Sequence, residues 1–164
     1  MGWFRKAPAM PAELAATTAP EGQLLGWAEH SEGVIAVTKR SLVSITSDEV
    51  TVTPWSDSLQ AKWDPPHLSV IFQGINDQLP VAKSFVLDES SQLPSAVRDR
   101  VTSAVVVDRV FELPNAGRVR FIARKDDLQT YWSAIADDLT ASQSDIGQIE
   151  VSQALAELRS AFGI

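Results

Sequence analysis

From Gln23 to Gln73 the chain is a succession of short strand-like runs: "QLLGWAEH", "VIAVTK", "RSLVSIT", "VTVTPW", "LQAKW" and "LSVIFQ". Val, Ile, Thr and Trp fill the runs, while Gly, Ser, Asp and Pro fill the breaks. Alternation sets their faces. Ile35 and Val37 fall on one side of their run and Val34, Ala36 and Thr38 on the other, and Val43 and Ile45 share a side of the next. Parallel strands need a crossover of a dozen residues or more, and no break here is that long. The runs therefore predict an antiparallel meander.

The period then changes. After the "INDQLPV" loop and the strand-like "AKSFVLD", Leu93, Val97, Val101 and Ala104 fall on one helical face. Ser90 or Ser91 is the candidate cap, and Pro94 suits the first turn. From Val105 a second unit begins. "VVVDRVFEL" and "RVRFIARK" flank "PNAG", a hairpin connection with Gly117 available for a left-handed conformation. A three-residue loop would set Glu112 opposite Arg118, whereas "PNAG" suits four, so the register stays open. "QTYWSAIA" reads as a third strand or a helix start. In the tail, Ile146, Ile149, Leu155, Leu158 and Phe162 recur at helical spacing.

Composition limits the function classes. The chain of 164 residues carries a net charge of −7, which disfavours a general nucleic-acid binder. With no cysteine it has no disulfide, no thiolate nucleophile and no cysteine-held metal. No apolar run approaches the ~20 residues that span a bilayer, and the expected compartment is the cytoplasm. Residues 1–21 read as a flexible leader ending in the Pro20-Glu21-Gly22 turn. Within it, Trp3, Phe4, Arg5 and Lys6 offer a small membrane-touching cluster.

The stretch from Leu24 to Ala104 resembles a bacterial pleckstrin-homology-like domain. "GVIAVTKRSLVSI" and "VTPWSDSLQAKW" carry the likeness: a Gly-started strand ending in Thr, a basic turn, a hydrophobic strand, then a "PWSD" piece leading across to the second sheet. The whole chain also resembles a family of uncharacterised actinobacterial proteins, through "RVTSAVVVDRVFEL" and "RVRFIARK" as well. The resemblance implies a bent meander of seven strands with a helix over one open end. It implies no activity, because that scaffold hosts lipid, peptide and protein binding. Phosphoinositide-binding members carry basic residues after the first strand. Here that loop is "EHSEG", whose two glutamates oppose a phosphorylated headgroup.

Catalytic signatures are lacking. No serine sits on a Gly-flanked elbow, and His30 and His67 read as surface residues. Asp126-Asp127 and Asp137-Asp138 are adjacent in sequence, so neither pair makes a metal pocket by itself, and no glycine-rich phosphate loop occurs. Charge is uneven, with seven bases against three acids from Arg98 to Lys125 and seven acids against one base beyond. Arg118, Arg120 and Arg124 share one strand face. They form either a grip for acidic partners or pairs with Asp108, Glu112 and the acidic tail, and the second is favoured. Trp55 and Trp63 read as core anchors, the Asp64-Pro65-Pro66 step as a bend or an edge, and the stretch from Thr53 to Phe72 as the turn between two sheets. Tyr131 and Trp132 face opposite ways if strand-borne, so one of them points away from the core.

The expectation is an α+β protein: a pleckstrin-like β unit with its capping helix over 22–104, and a β-hairpin and helix extension over 105–164 packed against it. The leading functional expectation is a non-enzymatic binding or adaptor module for a protein or peptide, without cofactor or metal. Its expected binding residues are Arg118, Arg120, Arg124, Tyr131 and Trp132. A membrane-peripheral module on anionic lipid and a small carboxylate-dependent enzyme are the alternatives.

Overall fold

A computed structural model describes residues 11–74 and 79–164. The runs become β1 (Leu24–His30), β2 (Gly33–Thr38), β3 (Ser41–Thr46), β4 (Val50–Pro54), β5 (Ser58–Asp64), β6 (His67–Phe72) and β7 (Val81–Val86). The first four pair in sequence order as one antiparallel sheet and the next three as a second. The corner between them is one tight turn at Trp55–Asp57. Trp55 holds it: the ring is buried and its Nε1 donates to the Thr38 carbonyl at 2.9 Å. The step between the sheets is therefore at "PWSD", and Asp64-Pro65-Pro66 makes a bend inside the second sheet. The latter is the β5–β6 hairpin turn, with Asp64 opposite His67. Turn positions need donate no ladder bond, so two prolines fit there.

Alternation assigns the core as expected. Ile35, Val37 and Leu42 pack with Leu68, Val70 and Phe72 of the second sheet. They meet Leu93, Val97 and Val101 of helix α2 (Leu93–Ala104). Ser91 Oγ accepts from the Leu93 N–H at 3.3 Å, and Pro94 lies in the first turn.

The other face of the first sheet departs from expectation. Ala36, Val43 and Ile45 are covered by Leu14 of a short helix α1 (Ala12–Thr18), which lies inside the stretch expected as a flexible leader, residues 1–21. A seven-residue helix with one large apolar side chain has too little periodicity to be recognised. It is held by the sheet it covers. Trp3 to Lys6 lie outside the described residues.

Past α2 the chain enters β8 (Val105–Leu113) with no linker, followed by β9 (Gly117–Lys125) and β10 (Thr130–Ala136). These form a third antiparallel sheet with β9 in the middle. The hairpin register resolves to the three-residue loop. Glu112 lies opposite Arg118 and Leu113 opposite Gly117, whose φ of 75° requires glycine or strain.

Helix α3 (Leu139–Gln143) leads into α4 (Asp145–Phe162), which packs Val151, Ala154, Leu155 and Leu158 on Val119, Phe121 and Trp132. Ile146 and Ile149, expected on the buried face, are 59% and 57% exposed. Glu150 fixes that rotation. Its Oε2 accepts from the Asn115 and Ala116 N–H groups at 2.8 and 2.9 Å, and its Oε1 from Asn115 Nδ2 at 2.7 Å. Residues 147, 150, 151, 154, 155 and 158 then form the inward stripe, which leaves 146 and 149 outside.

Candidate functional site

The arginines of β9 share one face, and each meets a partner within its own chain. Arg120 forms a bidentate pair with Asp108, through Nε at 2.9 Å and Nη2 at 2.7 Å. The hydrogen bond from Arg120 holds the Asp108 carboxyl below its usual pKa. Arg118 is exposed and meets Asp137 at 3.9 Å.

Arg124 has no exposed surface. Its Nη1 donates to the Gln73 carbonyl at 2.8 Å and its Nη2 to Ser133 Oγ at 2.6 Å, while its Nε lacks a partner. Burial lowers its pKa and the charge of Asp57 opposes that shift. It is a bolt between the two units. The contact that buries it is made by Gln73, at sequence separation 51, which strand alternation could not show. A second contact, Arg40 to Asp127 at 3.5 Å, joins the same two units at their surface.

Tyr131 and Trp132 point to opposite faces, as strand neighbours must. Tyr131 lies opposite Arg124, and its hydroxyl donates to Asp126 Oδ2 at 2.6 Å and accepts from Gln129 Nε2 at 2.5 Å. The bond to Asp126 raises its pKa. Trp132 lies opposite Ala123 and packs beneath α4. Arg118, Arg120, Arg124 and Tyr131 thus share one face of the third sheet, where Arg124 is buried in the inter-unit contact, and Trp132 lies on the other face.

His30 also differs from the surface residue expected. It ends β1, meets Phe85 edge-to-face at 5.3 Å, and its Nδ1 accepts from the Glu32 N–H at 3.3 Å. Burial lowers its pKa.

A concave feature lies elsewhere, between α2 and β5, one of the two edge strands of the second sheet. It is a trench of two adjoining cavities of about 320 and 90 Å³, which share Ala61 and Arg98. On the helix side, Pro94, Ser95, Arg98, Val101 and Thr102 line it as one stripe of α2, continued by Val105, the first residue of β8. On the strand side, Leu59, Gln60 and Ala61 line the larger cavity, and Ala61, Lys62 and Trp63 the smaller. Asp108 closes one end, so the extension contributes a wall. The floor is apolar. Arg98 stands mid-trench and makes no ion pair with any described residue, and neither does Lys62.

A signal for this stripe exists in the sequence. Arg98 and Thr102 stand four apart beside the buried Val97 and Val101, but only the tertiary structure shows that a free strand edge faces them.

Among the described residues no three His, Asp or Glu side chains gather where a metal could sit, and no helix is long and apolar enough to cross a membrane. No family model matches the chain, and no curated protein matches it.

Proposed function

We propose that this protein is a non-enzymatic binding module that takes an extended segment of a protein partner into the trench between β5 and α2. One observation carries the reading: an edge strand whose outer side pairs with no other described strand runs beside a helix across an apolar-floored trench. Leu59 to Trp63 extends ~13 Å as a strand. Pro94 to Thr102 extends ~12 Å as a helix. The two walls are matched, with room for roughly four or five extended residues. A strand added to β5 satisfies its outer backbone groups, and alternate side chains enter the trench.

A pleckstrin-like arrangement of residues 24–104 is part of the same proposal. Four strands, a corner, three strands and a covering helix, in that order, support it. Such a scaffold is compatible with peptide binding and by itself specifies no ligand.

Panning random phage-displayed octapeptides on the full chain tests the reading. Selected peptides are expected to shift the backbone amide resonances of residues 59–63 and 98–105, and Thr102→Trp, which fills the trench from an exposed helical position, is expected to abolish the selection. Peptides that shift only resonances elsewhere, or no selected peptides at all, overturn it.

A further inference from the structure

We infer that the trench selects a segment carrying an acidic side chain, with the carboxylate seated against Arg98. This deepens the proposed function and rests on it.

Arg98 lines both cavities, so a side chain seated in either one is a neighbour of Arg98. Arg40, Arg118 and Arg120 hold a carboxylate and Arg124 is buried on neutral oxygens; of the other described arginines, Arg98, Arg100, Arg109 and Arg159, Arg98 is the one that lines these two cavities. Arg98 is exposed, makes no ion pair with any described residue, and lines the larger cavity together with the buried Leu59 and Val101. Covering this floor with a ligand removes water from the guanidinium and strengthens any charge-assisted bond to it.

The remaining charges agree in sign. Lys62, in the smaller cavity, adds a second cation. Asp108, the one acid on the lining, is already neutralised by Arg120. The trench is therefore locally positive on a chain of net charge −7. A basic side chain entering it meets Arg98 and Lys62 with no free carboxylate to offset them. An acidic one meets a planar fork that matches both of its oxygens.

The test uses octapeptides from the panning, resynthesised with Glu, Gln or Lys at one central position, and reads affinity by fluorescence polarisation. The Glu peptide is expected to bind about tenfold tighter than the Gln peptide, the effect of one charge-assisted hydrogen bond in a partly dry site. The Lys peptide should bind weaker still. Arg98→Glu, at an exposed position, should invert the order, and Arg98→Gln should flatten it. Equal affinities for the three peptides, with amide shifts still at residues 59–63 and 98–105, overturn the charge assignment and leave the trench standing. Loss of those shifts for every peptide overturns both.

Discussion

Arg120 and Asp108 meet through two parallel hydrogen bonds, Nε to Oδ1 at 2.9 Å and Nη2 to Oδ2 at 2.7 Å, on diagonal positions of the β8–β9 hairpin. The pair does more than tie two strands. Asp108 is also the end wall of the α2–β5 trench, so Arg120 sets how much negative charge that wall presents. Removing the carboxylate frees a second guanidinium beside the trench. Asp108→Ala is expected to tighten binding of the acidic octapeptide a few-fold. Its stability cost should stay under about 1 kcal/mol, because the pair is partly exposed and screened. Polarisation titration and urea denaturation read the two effects.

Arg124 should behave differently. Truncating it takes the donor from the Gln73 carbonyl, in a buried contact, and from the half-buried Ser133 hydroxyl. Arg124→Ala is expected to cost about 2–4 kcal/mol in urea unfolding, within the range for lost bonds to a charged donor plus a cavity. Lysine should rescue little of it, since one ammonium cannot reproduce a fork aimed at two acceptors. A variant as stable as the parent would mean that the units are not joined there.

Two glycines should separate conformational strain from steric exclusion. Gly147 has no room for a methyl, because a Cβ there would lie 2.0 Å from the Ala141 carbonyl oxygen. Gly117 has open space but a φ of 75°. Gly117→Ala is expected to cost about 1 kcal/mol through its left-handed backbone. Gly147→Ala should cost more, about 2–3 kcal/mol, by pushing α4 from α3. Comparative thermal melts give the ranking.

Leu14 tests the helix over the first sheet. If α1 covers Ala36 and Val43 as observed, Leu14→Ala should lower stability by about 2–4 kcal/mol, as for other buried leucines. An unattached leader would show no change.

Acid should weaken the fold in two stages. Burial lowers the His30 pKa from 6.5, so the folded state binds its proton later than the unfolded chain does. Its contribution is whole above 6.5 and declines as pH falls below that value. The melting temperature should drop between neutral and mildly acid pH, and His30→Gln should flatten that limb. Carboxylates with lowered pKa act further down. For Glu150, burial pushes the pKa up, but the bonds from Asn115 and Ala116 outweigh it. Asp108 and Asp126 are lowered too, each mainly by a side-chain bond, from Arg120 and from Tyr131. These contributions are present above the unfolded carboxylate range and are lost as pH falls through the lower folded values.

Much of this molecule was legible as a string. Period 2 placed Ile35 and Val37 opposite Ala36, and period 3.6 placed Leu93, Val97 and Val101 on the core side of α2, because both depend on chain geometry alone. Gly117 marked its turn for the same local reason. Three things were not local. The sheet made a helix of residues 12–18 by offering Leu14 a surface. Glu150 chose which side of α4 faces inward, by bonding a loop 34 and 35 residues away. Gln73 took Arg124 out of the arginine row and Asp108 took Arg120, so the surface that alternation drew on β9 never reaches solvent as a unit. The trench beside Arg98 is the reverse case. Its two walls are 30-odd residues apart in sequence, and each looks ordinary alone. Local periodicity fixes which way a side chain points from its own element; which element it meets there is decided by packing between distant parts of the chain.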